Sequence, residues 1–98
     1  MKYKLYQIKT SKIRELGFER YSSLEAKGIK VDRENYSMVY EGEFNGNLEH
    51  LFQMFNVDKP EDFNGASMSV SDVIETFTDE GIKSYYVDSF GFKKLDEF

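Results

Sequence analysis

Hydroxyls, carboxylates and one imidazole are the groups in this chain able to move protons or hold a cation, and their spacing decides which could act together. Ser69-Val70-Ser71-Asp72-Val73-Ile74 sets two hydroxyls and a carboxylate directly before an apolar run. With Asp88 brought near by the fold, such a group could bind a small polar ligand or do acid–base work on one. The plainer role is structural: short polar side chains bond neighbouring backbone N–H groups and fix the turn that enters a strand. Glu41 with Glu43, and Asp79 with Glu80, could serve as paired acid and base or grip a hard cation. They lack the loop spacing of a calcium site, and a wet strand face and a turn account for them. His50 is the sole histidine. Alone on a helix, with no cysteine or second histidine, it makes a poor metal ligand, and as a base it would need a nucleophile and an orienting acid beside it. There is no cysteine, hence no disulfide, thiolate metal site or cysteine nucleophile. No nucleophile elbow, P-loop or dinucleotide fingerprint occurs. The expectation is therefore no catalytic set, no cofactor and no metal, with Glu41, Glu43, Ser69, Ser71, Asp72 and Asp88 as interaction candidates.

The elements that must carry these residues follow from hydrophobic period. Tyr3 to Lys9 alternates through Tyr3 and Leu5, then shifts phase to Tyr6 and Ile8, which predicts a strand buried on both faces or one with a bulge. Between Thr10 and Lys27 the apolar spacing is broken at Gly17, so two short helical pieces are expected, the second opened by a Ser22–Glu25 capping box and closed by Gly28. Ser37 to Phe44 alternates with Met38, Tyr40, Gly42 and Phe44 inward and Glu41 and Glu43 on the wet side. Asn47 then caps a helix over about 47–56, whose Leu48, Leu51, Phe52 and Phe55 share one stripe. Asp58 to Phe63 suits one helical turn closed by Asn64-Gly65. Val73 to Thr78 and Ile82 to Ser89, joined by Asp79-Glu80-Gly81, predict an antiparallel hairpin, and Phe92 to Leu95 a short edge strand. The fold class is α+β: a small mixed or antiparallel sheet with a C-terminal hairpin, packed on one amphipathic helix and short N-terminal helical segments. No repeat or linker interrupts residues 1–98, so a single domain is expected.

Composition bounds the class. Nine Phe and seven Tyr in 98 residues, with no Trp, make an aromatic core the expectation. Net charge is −5 and unevenly spread: residues 31–80 carry two basic and twelve acidic side chains, whereas residues 1–30 carry eight basic and three acidic. The run Tyr85 to Phe92 is ring-rich, yet stacking platforms for nucleic acid lie in positive grooves, and this run has no Arg or Lys before Lys93. No stretch approaches the ~20 apolar residues that span a bilayer, and no signal peptide is legible at Met1-Lys2-Tyr3-Lys4-Leu5-Tyr6. A cytoplasmic protein is expected.

In order along the chain, Tyr6-Gln7-Ile8, Tyr21 to Leu24, Asp32-Arg33 with Tyr36, Val39-Tyr40-Glu41-Gly42, Phe55-Asn56, Pro60-Glu61-Asp62-Phe63, Ser69-Val70-Ser71-Asp72-Val73-Ile74 and Tyr86-Val87-Asp88-Ser89-Phe90-Gly91-Phe92 together resemble the YodL-like domain family. The last two segments carry most of the resemblance. It implies a domain found alone or appended to larger proteins in conjugative elements, phages and related mobile DNA of Gram-positive bacteria. It implies no particular activity.

Two functional expectations follow. The first is a non-enzymatic accessory protein of a mobile element that binds another protein as a monomer or weak homo-oligomer; one version is an acidic decoy that occupies the groove of a nucleic-acid-binding host protein. The second is a small-ligand or catalytic domain built around Ser69, Ser71, Asp72 and Asp88. Direct nucleic-acid binding through the basic first 30 residues is opposed by the overall negative charge.

Overall fold

The computed structural model describes residues 1–98. Its centre is a five-stranded antiparallel sheet in the order β2-β1-β3-β4-β5. The strands are β1 (Lys2–Ile8), β2 (Tyr36–Glu43), β3 (Val73–Thr78), β4 (Gly81–Val87) and β5 (Phe92–Leu95). β1 is an interior strand, between β2 and β3, and is buried on both faces. Tyr3 and Leu5 point to one core, Tyr6 and Ile8 to the other. That two-sided burial explains the phase change in its sequence, and β1 pairs with β3 in unbroken register, Leu5 opposite Ile74 and Tyr6 opposite Val73.

The irregularity lies in β2. Leu5 faces Tyr40 while Tyr6 faces Met38, leaving Val39 as an extra residue. A bulge reverses the facing of everything before it. Met38, expected inside with Tyr40, therefore lies on the other side of the sheet at 47 % exposure.

On the first face lies helix α3 (Leu48–Val57). Its Leu51 and Phe55 are fully buried against Tyr3, Leu5, Ile74 and Val87. Asn47 caps it: Oδ1 accepts from His50 N at 2.9 Å, and His50 Nδ1 accepts from Asn47 N at 3.5 Å. His50 is thus a capping residue at an exposed helix start. The Phe55 ring meets Tyr3, Tyr40 and Phe63 edge-on, an arrangement worth about 0.5–1.5 kcal/mol per pair beyond area alone. Asp58 to Phe63 forms a single hydrogen-bonded turn, Phe63 N to Pro60 O at 3.0 Å.

The second face is covered by helices α1 (Ile13–Leu16) and α2 (Tyr21–Ala26), split at Gly17 and Phe18. The Ser22–Glu25 capping box does not form. Instead the carboxylate of Asp88, in the β4–β5 connection, accepts from Tyr21 N at 3.0 Å and so caps α2 from outside its own sequence. The β3–β4 hairpin turns through Asp79 and Glu80 alone, a two-residue connection rather than the three expected, because Gly81, at φ +111°, already pairs with Thr78 as the first residue of β4.

Candidate functional site

The end of β1, the start of β2, the α1 segment and the 65–72 connection converge on a cleft of about 290 Å³. Polar residues on its wall include Gln7, Ser37, Ser69, Ser71 and Asp72; Ile13, Phe18 and Val39 supply apolar surface. Phe18 stands 68 % exposed and Ile13 42 % exposed at this site.

Local chemistry explains how Asp72 comes to rest there. Gly65 lets the connection run close over Phe63 and Gln7, since a Cβ there would fall 2.7 Å from the Phe63 ring. Gln7 then clasps Ala66, donating from Nε2 to its carbonyl at 2.8 Å and accepting its N–H at Oε1 at 3.2 Å. That clasp fixes the amide orientation, so the second Nε2 proton reaches Asp72 Oδ2 at 3.1 Å. The same Oδ2 accepts from Ser69 N at 3.1 Å. Ser71 holds φ +91°, uncommon for a residue with a side chain. It is pinned from both sides, its N–H donating to Val87 O at 2.9 Å and its carbonyl accepting from the Tyr36 hydroxyl at 2.6 Å.

Asp72 is only 4 % exposed. Burial pushes its carboxyl up from the ordinary 3.8 to about 7, against the smaller downward pull of Gln7 and Ser69. Oδ1 receives no hydrogen bond from the chain. Every fully buried side-chain polar atom has a partner, so Oδ1 reaches solvent, and the cleft is the open space Asp72 borders. The result is a carboxyl anchored by one oxygen and offering the other.

The remaining sequence candidates lie elsewhere. Ser69 and Ser71 share the cleft with Asp72, but Asp88 is engaged in capping α2. Glu41 and Glu43 stand opposite Lys4 and Lys2 on the open part of the second face, beside Phe77. Of the acids in 31–80, Asp72 and Glu75 are buried and Glu80 pairs with Lys83 at 2.9 Å. No three His, Asp or Glu side chains gather as a metal site would need.

Two residues were not singled out from sequence. Gln7 sits in an ordinary strand pattern that gives no hint of its role. Arg33 is the other: its Nη2 lies 2.7 Å from Glu75 Oε2 and its Nη1 2.9 Å from the Tyr6 hydroxyl, which itself donates to Glu75 Oε1 at 3.0 Å. The Glu75 hydrogen bond is the main cause of the raised Arg33 pKa. An acid inside the apolar run Val73–Thr78 is the signal that could have found this pair, because a charge on a buried strand demands a partner.

Fold and site together define a class: a small α+β domain with an open antiparallel sheet and a cleft at one end that presents a single buried carboxyl. The chain belongs to the YodL-like domain family, whose model matches residues 2–98. No curated protein and no solved structure matches it.

Proposed function

We propose that this chain is a non-catalytic binding domain, an accessory protein of a mobile genetic element working in the cytoplasm, that grips a segment of another protein in the Asp72 cleft. The observation that carries the reading is the anchored carboxyl with one unpartnered oxygen, in a cleft that the exposed ring of Phe18 also lines. An exposed aromatic and a desolvated polar group lining one cleft have the make-up of an interface hot spot. An acidic decoy draws on the net charge of −5. Of the twelve acidic residues in 31–80, two are buried, two form the hairpin tip and two share a strand face with Lys2 and Lys4, so the proposal rests on the cleft instead. No helix is long and apolar enough to cross a membrane.

A second reading, a small-ligand or catalytic pocket, is favoured by one observation: the cleft's 290 Å³ is close to the ~300 Å³ at which ligand pockets begin. For catalysis, Asp72 would need a nucleophile beside it, and neither Ser69 nor Ser71 hydroxyl bonds to it.

Affinity capture from host lysate with the parent, Phe18→Glu and Ile82→Glu tests the proposal. Ile82 is 66 % exposed on the sheet's open face and serves as the control. A protein retained by the parent and Ile82→Glu but lost by Phe18→Glu supports the cleft. Retention lost only with Ile82→Glu moves the interface to the open sheet face and overturns the proposal.

A further inference from the structure

The chain buries two carboxylates near the start of β3 and completes only one of them. Glu75 receives a guanidinium: Arg33 bonds it at 2.7 Å and lies over the Tyr6 and Phe98 rings, 5.2 and 4.5 Å from their centroids. Asp72, three residues earlier, receives neutral donors alone, both at Oδ2. Lys9 is the one basic residue lining its cleft, and it forms no ion pair with Asp72. A carboxylate taken out of water without a counter-charge is unfavourable, and the chain leaves that position open on the cleft side.

The cleft supplies the other parts of the Arg33 arrangement. Phe18 offers an exposed ring, and the Ser69 and Ser71 hydroxyls are unbonded within the chain, free to accept additional N–H groups. A guanidinium suits this set better than an ammonium. It carries five donors in a plane, is weakly hydrated and stacks on aromatic faces, whereas an ammonium is a compact, strongly hydrated point charge. Resting on the reading of the cleft as the seat of a partner segment, we infer that its occupant is an arginine side chain of that partner. The guanidinium donates to Asp72 Oδ1 and lies against Phe18.

The test is backbone amide NMR of the intact protein at pH 8, titrated in turn with N-acetylarginine amide, its neutral citrulline counterpart and its lysine counterpart. The arginine probe should shift the amides of Phe18, Ser69, Ser71 and Asp72 and bind roughly ten-fold tighter than citrulline, the margin of a charge-assisted hydrogen bond over a neutral one. Asp72→Asn keeps an oxygen for Gln7 and Ser69 and should lose that preference with the rest of its spectrum in place. Equal binding of arginine and citrulline, a preference that survives in Asp72→Asn, or lysine binding as tightly as arginine would overturn the inference. If Phe18→Glu still abolishes capture of a partner while arginine shows no preference, the guanidinium assignment fails and the cleft stands. If capture is also indifferent to Phe18→Glu, both fail.

Discussion

Replacing Asp72 with Asn should stabilise the protein, and by an amount that grows with pH. Both donors that reach Asp72 arrive at Oδ2, so an amide can place its oxygen there and its NH₂ toward the cleft without disturbing Gln7 or Ser69. The parent carboxyl has its pKa raised from 3.8 to about 7 by burial. Below about pH 4 folded and unfolded chains both hold the proton, and Asp72 is neutral in its effect. Between about 4 and 7 the unfolded chain gives up the proton while the folded one keeps it, so the parent loses stability progressively; above about 7 the loss is complete and constant. A shift of roughly three units at about 1.4 kcal/mol each sets the ceiling near 4 kcal/mol. That is a large share of the ~5–15 kcal/mol of a small domain. Urea denaturation of both proteins from pH 4 to 8.5, followed by tyrosine fluorescence or circular dichroism, measures the difference, in which the other carboxylates cancel. A variant advantage near zero at pH 4 and about 2–4 kcal/mol at pH 8 is expected. An offset independent of pH, or a less stable variant at pH 8, would refute the placement of Asp72 in a desolvated site.

Leu51→Ala removes a side chain with no exposed surface from the α3 contact with the sheet, and should cost about 2–5 kcal/mol in denaturant titration; a change under 1 kcal/mol would remove α3 from the core. Arg33→Ala strands the carboxylate of Glu75, but Arg33 is itself 47 % exposed. The loss should fall between the surface and buried limits, about 1–3 kcal/mol, and shrink when Glu75→Gln is added to the same chain. Asp88→Ala removes the only side-chain cap on α2, a loss of about 0.5–2 kcal/mol that should show first as faster amide exchange over Tyr21–Ala26.

Much of this fold can be read locally. The spacing of Leu48, Leu51, Phe52 and Phe55 behind Asn47 specifies α3 and its buried face, and Asp79-Glu80-Gly81 specifies the hairpin. What escapes local reading is set by pairing. The extra residue in β2 is visible only once β1 lies beside it, and it sends Met38 to the opposite face from Tyr40. α2 has a plausible cap of its own in Ser22, yet is capped by Asp88 from 67 positions away. At the site, the grouping of Ser69, Ser71 and Asp72 was legible, because the hydroxyls and the acid adjoin in sequence. The clasp from Gln7, 65 positions away, was not, and it is this clasp that occupies one carboxylate oxygen and leaves the other to the cleft.

The account rests on Asp72 being a desolvated carboxyl, without a cation from its own chain, that opens onto a cleft. The carboxyl-carbon NMR titration of Asp72 in the isolated protein tests this most directly. A midpoint near 7 is the predicted result. A midpoint near the ordinary 3.8 would mean that the group is solvated or already paired with a cation, and would contradict the account.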